Sequence, residues 1–537
     1  MSKRFEGKKD IKICLINPST IDERKNASPL STRNKYYLNP YNLSHIGLGY
    51  IAATLIEDGF NCDIIESPVS GYNVNEIVEL VLKNEYDIVG VSSYYYNYLN
   101  TLRIVEKLKK RKSNIFIWLG GFLPTLCAKE LLDTNLDIDC CMVGEGEITT
   151  LELVNSIYNG EDWRKVNGIV YKLGNEIVTT PTRELIKNLD VLPFPVRTYS
   201  KDRKIAAVLT SRGCYGHCNY CGIREFFNMN EGSCYRRRSP ENVVEEIKDL
   251  VSNQKVDYIV FNDGVLHICS KRGREWFDTF EKLIIENEIH VSFLCDFRVN
   301  EINLAPDIVR RFKKIGLTNV NIGIESFVQK QLNFYGKGVK VEDNIAAIKK
   351  IEEIGLNYTI GVLMFDPTTT VEDVREYCTT MVNMGYYQSD YNITRPLSVG
   401  SRVIATTGTP LYDYVIENNL YVNNAFNYKF EDSRVEVLHK YVDNWSVKVS
   451  EIFNINYISY IAEENNMIEE NKKIHIFFQK LFKLDQSYII DICNHILEYG
   501  ADKTDMMWSK CEEKYSEELK MLEKELRALE AKLIKYY

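Results

Sequence analysis

The sequence predicts an α/β protein made of two successive strand–helix units closed by an all-helical segment. From residue 11, short β-branched runs alternate with amphipathic stretches, the pattern of a parallel sheet covered by helices. A Pro-containing stretch, Leu192-Pro193-Phe194-Pro195, interrupts that alternation, which restarts at residue 205, and beyond about residue 410 strand signals stop. With 537 residues, 45% of them hydrophobic and 26% charged, the chain has the composition of an ordinary globular protein. Its length leaves room for about three domains of roughly 100–200 residues each.

In the first unit, residues 1–165, strands are expected at 11–17, 61–66, 87–93, 115–119 and 140–143. Helices are expected at 46–59, 74–84, 99–110 and 124–132, where apolar residues recur at three- and four-residue spacing. Such strands make a doubly wound, Rossmann-like sheet, whose ligands bind beyond the carboxyl ends of the strands. The loops there are Asn17-Pro18, Ser92-Ser93-Tyr94-Tyr95-Tyr96, Gly120-Gly121-Phe122-Leu123-Pro124-Thr125 and Gly144-Glu145-Gly146-Glu147. Paired glycines let a backbone approach a large ligand closely. Residues 166–203 read as a hairpin around Gly174-Asn175 followed by a linker. The second unit, 204–400, carries expected strands at 205–209, 258–261, 291–294, 319–324, 358–363 and 390–394, and 401–537 reads as helical. At its end Leu519, Leu522, Leu526, Leu529 and Leu533 form a short heptad stripe. Packing on its own domain is favoured there over a dimer contact.

The formal charge of −9 argues against a protein that wraps nucleic acid. Arg236, Arg237 and Arg238 read as a solvated surface turn. Arg395 and Arg402 are candidates for an anionic substrate group, with surface salt bridges the simpler expectation. The first residues hold no apolar signal core and no stretch approaches ~18 apolar residues, so a cytoplasmic protein is expected. In such a chain the fourteen cysteines are mostly reduced. Cys14, Cys140, Cys141 and Cys295, inside apolar runs, are expected to act as small hydrophobes.

Three cysteines stand apart. Ser211-Arg212-Gly213-Cys214-Tyr215-Gly216-His217-Cys218-Asn219-Tyr220-Cys221 follows a strand directly, with the spacing C-x3-C-x2-C. Three thiolates on one compact loop can each bind a different iron of a cubane cluster and leave the fourth iron open. Structural zinc wants four closed ligands, and no second C-x2-C pair occurs to supply them. The loop resembles the signature of the radical S-adenosylmethionine superfamily, including the aromatic Tyr220 before the third cysteine. That resemblance implies a partial (β/α)6 barrel for residues 204–400. It also implies a [4Fe–4S] cluster on Cys214, Cys218 and Cys221, whose open iron holds S-adenosylmethionine. One electron then cleaves this to methionine and a 5′-deoxyadenosyl radical, with a donor such as flavodoxin or ferredoxin as partner. It further implies S-adenosylmethionine contacts from Tyr220, from Asp263 in Phe261-Asn262-Asp263-Gly264, from Arg298, and from Glu325 and Ser326 in Gly323-Ile324-Glu325-Ser326. In Phe365-Asp366-Pro367-Thr368-Thr369-Thr370, Thr368 and Thr369 stand where the family has Gly and Glu.

Upstream, Asn17-Pro18, Gly47-Leu48-Gly49-Tyr50, Val89-Gly90-Val91-Ser92, Gly120-Gly121 and Gly144-Glu145-Gly146-Glu147 together resemble the cobalamin-binding domain of the cobalamin-dependent branch. The two resemblances cover about residues 10–400. They imply corrin contacts from Ser92, Ser93, Tyr94 and Gly121, with Asn17, Gly120, Gly144 and Glu145 beside them. The motif Asp-x-His-x-x-Gly is absent after the first strand, and no His lies among residues 1–44. A cobalt without a histidine ligand, its nucleotide tail in the sheet crevice, is therefore implied; a scaffold that has lost the cofactor is the alternative. The family implies methyl transfer from methylcobalamin to an unactivated carbon of a small molecule or peptide. Cyclisation or rearrangement without net methyl transfer, and a non-catalytic cobalamin or redox sensor, are the alternatives.

Overall fold

The computed structural model describes residues 7–19, 43–133, 137–199, 204–228, 234–386, 402–422, 427–453, 455 and 457–536. The first sheet contains β1 (Lys12–Asn17), β2 (Asn61–Glu66), β3 (Ile88–Ser92), β4 (Phe116–Gly120), β5 (Cys140–Met142), β6 (Ile169–Leu173) and β7 (Glu176–Thr179), in the order β2-β1-β3-β4-β5-β6-β7. Strands β1 to β5 are parallel. The hairpin β6–β7 does not stand apart as a connector: β6 pairs antiparallel with β5 and extends the sheet. Strands β3, β4 and β5 are buried along their whole length because helices cover both faces. Cys14 in β1 and Cys140 and Cys141 in β5 are fully buried.

Gly90 in β3 and Trp118 in β4 explain one sequence choice in this core. The indole of Trp118 lies flat on the sheet, and a Cβ at Gly90 would sit 2.1 Å from its ring. Only a residue without a side chain leaves that space.

The second sheet, β8 (Ile205–Val208), β11 (Tyr258–Phe261), β12 (Ser292–Arg298), β13 (Leu317–Glu325) and β14 (Asn357–Val362), is parallel throughout and runs β14-β13-β12-β11-β8. Its strands neighbour one another in chain order with a helical connection between each, as in a barrel laid open, whereas the first sheet reverses order at β1. Alternation along these strands sorts the side chains. Phe293, Cys295, Phe297, Val320, Ile322, Ile324, Tyr358 and Ile360 join the apolar core under the helices. Asp296, Arg298, Asn321, Gly323, Glu325, Thr359 and Gly361 fall on the opposite, concave face. The strand expected at 390–394, like Arg395, lies outside the described residues. A two-stranded ribbon, β9 (Ser211–Arg212) with β10 (Arg236–Arg237), sits at the end of β8.

The helical segment does not form a core of its own. Helix Ile468–Tyr499 packs on helix Val371–Asn383 of the second unit, and one apolar cluster runs from the barrel helices through Trp445, Tyr488 and Trp508. Leu519, Leu526, Leu529 and Leu533 are buried in that same cluster, so the C-terminal leucine stripe packs within its own chain. Among the described residues no helix is long and apolar enough to cross a membrane.

Gly90→Val forces a branched side chain into the Trp118 indole. Overpacking of this kind costs about 1–3 kcal/mol, and the thermal midpoint followed by circular dichroism should fall. An unchanged midpoint would contradict the packing described.

Candidate active site between the two sheets

The order of the first sheet reverses between β1 and β3, and the carboxyl ends of these strands open a crevice there. His45, N-cap of helix Ile46–Glu57, enters it from the β1 side. Its Nδ1 accepts the Leu48 N–H at 3.1 Å, so in the neutral ring Nε2 carries the proton, facing Ser92 Oγ at 2.9 Å and Tyr94 OH at 3.0 Å. Burial lowers the basicity of His45, and the nearby Glu66 opposes that only in part. His45 is the functional candidate that motif reading missed. It lies far from the spacing Asp-x-His-x-x-Gly demands, and its only local signal is its place just before Gly47-Leu48-Gly49. Asn17 ends β1 at the same crevice. Gly121, with φ of +98°, passes so close to the β3 loop that a Cβ would meet Ser93 O at 3.2 Å and Ser92 Oγ at 3.3 Å. The next loop is knitted in by Thr125 Oγ1, which accepts the Gly144 N–H at 3.1 Å.

Residues at the carboxyl end of the second sheet pack on the β4 loop beside this crevice, Gly222 lying against Leu126 and Phe122. Cys214, Cys218 and Cys221 are free thiols on the loop after β9. Burial pushes the Cys221 thiol up to about 11, with Cys218 and Cys214 close enough to add to the shift. Gly216 donates its N–H to Cys214 Sγ at 3.3 Å, and Arg298 Nη1 donates to Cys218 Sγ at 3.4 Å. Helix Gly222–Asn228 leaves the third cysteine and carries Phe226 against Phe122 of the β4 loop, 4.7 Å between ring centroids. Phe122 in turn lies 5.7 Å from Tyr94, which stacks on Tyr96 at 5.2 Å. An aromatic wall thus joins the crevice to the cysteine loop, and Tyr96 is 59% exposed at its open end.

Charged side chains fasten the two together. Arg212, two residues before Cys214, donates to Glu145 Oε1 at 2.7 Å and Glu147 Oε1 at 2.5 Å, and its guanidinium lies over the Tyr50 ring. Arg236 donates to both oxygens of Glu145 and to Ile186 O. Burial pushes Glu145 up, but Arg212 and Arg236 outweigh it and hold the carboxylate below the usual glutamate range. Arg238 pairs with Glu246, which also takes Arg197. The three consecutive arginines are therefore not a solvated turn: Arg236 and Arg238 are 8% and 3% exposed, and Arg237 stacks on Trp276. Burying them is tolerable because Glu145 meets Arg236, Glu246 meets Arg238 and the His267 carbonyl accepts from Arg237.

Residues 40–154 match the family described as the B12 binding domain, and residues 208–381 match the radical SAM superfamily. The chain is a cobalamin-dependent radical S-adenosylmethionine enzyme. Over 447 residues this radical S-adenosylmethionine enzyme is 26% identical to an uncharacterized methyltransferase of Pyrococcus horikoshii, covering 81% of this chain and 91% of that protein. Over 359 residues it is 25% identical to the anaerobic magnesium-protoporphyrin IX monomethyl ester cyclase of Synechocystis sp., covering 65% and 69%. The solved structure of the cobalamin-dependent S-adenosylmethionine radical enzyme OxsB with aqua-cobalamin bound superposes with a TM-score of 0.71 at 17% identity, covering 98% of this chain and 81% of that one.

The enzyme's cofactors are a [4Fe–4S] cluster, S-adenosylmethionine and cobalamin, and the donors present fit them. Three free thiols on one short loop, with Cys218 and Cys214 close enough to Cys221 to raise its thiol, suit the irons of a cubane cluster, which favours thiolate ligands. The crevice offers a glycine cradle at Gly121 and a buried, unpartnered Ser93 Oγ.

Several residues expected at S-adenosylmethionine are already engaged within this enzyme. Asp263 accepts Thr210 N–H at 2.8 Å, Ser211 N–H at 2.7 Å and Thr210 Oγ1 at 2.6 Å, while burial pushes its carboxyl up to about 6. Ser326 Oγ accepts the Val328 N–H and donates to Gln331 Oε1. Glu325, at φ of +65°, pairs with the buried Lys337 at 2.6 Å, next to Tyr220. Asp366 accepts from Thr368 and Tyr335, which closes the loop around Thr368 and Thr369 on itself. Arg402 pairs with Glu436 at 2.8 Å, the salt bridge that was the simpler expectation, and donates to Tyr428 O.

Glu145→Gln removes the charge shared by Arg212 and Arg236. Breaking a buried pair in this way costs roughly 3 kcal/mol. The native carboxylate has a depressed pKa, so its stabilisation is full above the ordinary glutamate range and is lost as pH falls through its folded value. The gap in thermal midpoint between native and variant enzyme should therefore be widest near neutrality and narrow on acidification. A gap that is absent or independent of pH would contradict this.

Proposed function

We propose that the enzyme is a methyltransferase in which Cys214, Cys218 and Cys221 hold the cluster and the crevice around His45, Ser92, Ser93, Tyr94 and Gly121 holds cobalamin. The observation that carries this reading is that the cysteine loop and the crevice face one another across the wall of Tyr94, Phe122 and Phe226, fastened by Glu145 and Arg212. A substrate between them has a radical source on one side and a methyl carrier on the other.

When bound, the cluster with S-adenosylmethionine supplies a carbon-centred radical, and cobalamin supplies a transferable methyl group. The chain's own residues do the rest. Arg298 sets a cation beside Cys218 and keeps a buried Nε without a partner, which suits the methionine carboxylate. Glu325, held by Lys337 and beside Tyr220, is the carboxylate at this strand end that suits a ribose hydroxyl. Gly323 makes room for the Glu325–Lys337 pair, which a Cβ there would meet at 2.9 and 3.0 Å, and Gly361 leaves the concave face open beside it, where a Cβ meets nothing nearer than 3.8 Å. Tyr94, Phe122 and Phe226 line the reaction space with aromatic surface that keeps water away, which protects a radical from quenching. An electron donor of the flavodoxin or ferredoxin type, a cytoplasmic setting and no nucleic-acid partner complete the reading.

The similarity to a protein named as a cyclase favours one second reading, radical cyclisation without net methyl transfer. Product counting separates the two. Anaerobically reconstituted enzyme with cobalamin, S-adenosylmethionine, reductant and a methyl-accepting substrate should release both S-adenosylhomocysteine and 5′-deoxyadenosine. Release of 5′-deoxyadenosine alone overturns methyl transfer. Cys214→Ala, Cys218→Ala and Cys221→Ala should each abolish 5′-deoxyadenosine, to below about one hundredth of the native yield, and still bind cobalamin. Surviving 5′-deoxyadenosine formation in any of them contradicts the ligand assignment.

A further inference from the structure

Glu301 belongs to no motif, yet it is 0% exposed and collects four partners. It lies in the first turn of helix Val299–Leu304, immediately after β12. Its Oε2 accepts the backbone N–H groups of Ile268 at 2.7 Å and Cys269 at 2.8 Å. Its Oε1 accepts the Tyr215 hydroxyl and lies 2.7 Å from His267 Nδ1. His267, Cys269 and Glu301 bring their ligand atoms within 4.8 Å of one another, as a metal site would. The carboxylate, however, already has two donors on each oxygen, so a metal would have to displace hydrogen bonds that the fold supplies. The trio is better satisfied as a hydrogen-bond hub.

What the hub holds is the cysteine loop. Tyr215 follows Cys214 directly, and its ring lies 4.5 Å from that of His267. On the other side the Arg298 guanidinium lies over the Tyr215 ring at 5.5 Å while its Nη1 reaches Cys218 Sγ at 3.4 Å. A Cβ on Gly216 would fall 2.2 Å from that same Nη1, so the loop closes tightly on the guanidinium. A buried anion anchors a tyrosine, the tyrosine carries a cation, and the cation touches a sulfur. Hydrogen bonds and charge at ligand sulfurs set the reduction potential of a cluster.

We propose that Glu301 is a positioning residue for the cluster: by anchoring Tyr215 it seats Arg298 on Cys218 Sγ and so raises the cluster's reduction potential. The inference rests on the assignment of Cys214, Cys218 and Cys221 as cluster ligands. Tyr215→Phe removes only the hydroxyl that Glu301 accepts, and Glu301→Gln removes the charge. Both variants, as full-length reconstituted enzyme, should keep the native iron and sulfide content. Both should show a more negative cluster midpoint potential in an anaerobic redox titration followed by electron paramagnetic resonance, with the g-values of the reduced cluster displaced in the same sense. The rate of 5′-deoxyadenosine formation with a weak reductant should fall about tenfold. Native potential and g-values in Tyr215→Phe overturn the proposal even if Glu301→Gln fails to fold. If instead the native chain assembles no cluster, or Cys214→Ala keeps one, it is the ligand assignment that fails.

Discussion

Glu145 meeting Arg212 is the contact on which the rest of the arrangement depends. The acid stands at the carboxyl end of β5 in the cobalamin-binding sheet, and the base stands two residues before Cys214 in the other unit. An ion pair at a surface would say little, since exposed pairs contribute close to nothing. This one is buried on both sides, shared with Glu147 and Arg236, and satisfied further by Ile186. Removing charges from water is expensive and is repaid only where the geometry is tight. The gain is therefore specificity: this orientation of the two sheets pairs Glu145 and Glu147 with Arg212 and Arg236, and others leave those charges stranded.

The same economy recurs around residues 210–221. Asp263 holds the backbone of Thr210 and Ser211, Arg212 is held by Glu145 and Glu147, Tyr215 is held by Glu301, and Cys218 is met by Arg298. The anchors come from the carboxyl ends of β5, β11 and β12, so the loop is positioned by the sheets and not by its own turn preferences. A cluster that must take an electron, bind a cationic cofactor and face a second cofactor needs such a frame.

Much of this was legible in the sequence. Strand and helix periodicity located both units, and C-x3-C-x2-C located the loop, because these signals are local. The roles of charged residues were not, because they depend on partners distant in the chain. Arg236, Arg237 and Arg238 carry no local sign that Glu145 and Glu246 meet two of them in the interior. Asp263 sits at a strand end where a ligand contact is expected, but its oxygens are spent on the neighbouring strand. Glu301 sits in an unremarkable helical turn, and His45 precedes a Gly-x-Gly that draws the eye past it. The hairpin at β6 and β7 reads as a connector because nothing in its own residues records that β5 lies free beside it.

On the proposed reading, the cobalamin crevice and the cysteine loop lie at a separation fixed by the Glu145 cluster. The most direct test is the magnetic dipolar interaction between cob(II)alamin and the reduced cluster, measured by pulsed electron paramagnetic resonance on the doubly loaded enzyme. A single narrow distance in the native enzyme, broadened in Arg212→Gln with both cofactors retained, is the predicted result. A broad distribution in the native enzyme, or one that Arg212→Gln leaves untouched, would contradict the claim that this ion cluster sets the geometry of the active site.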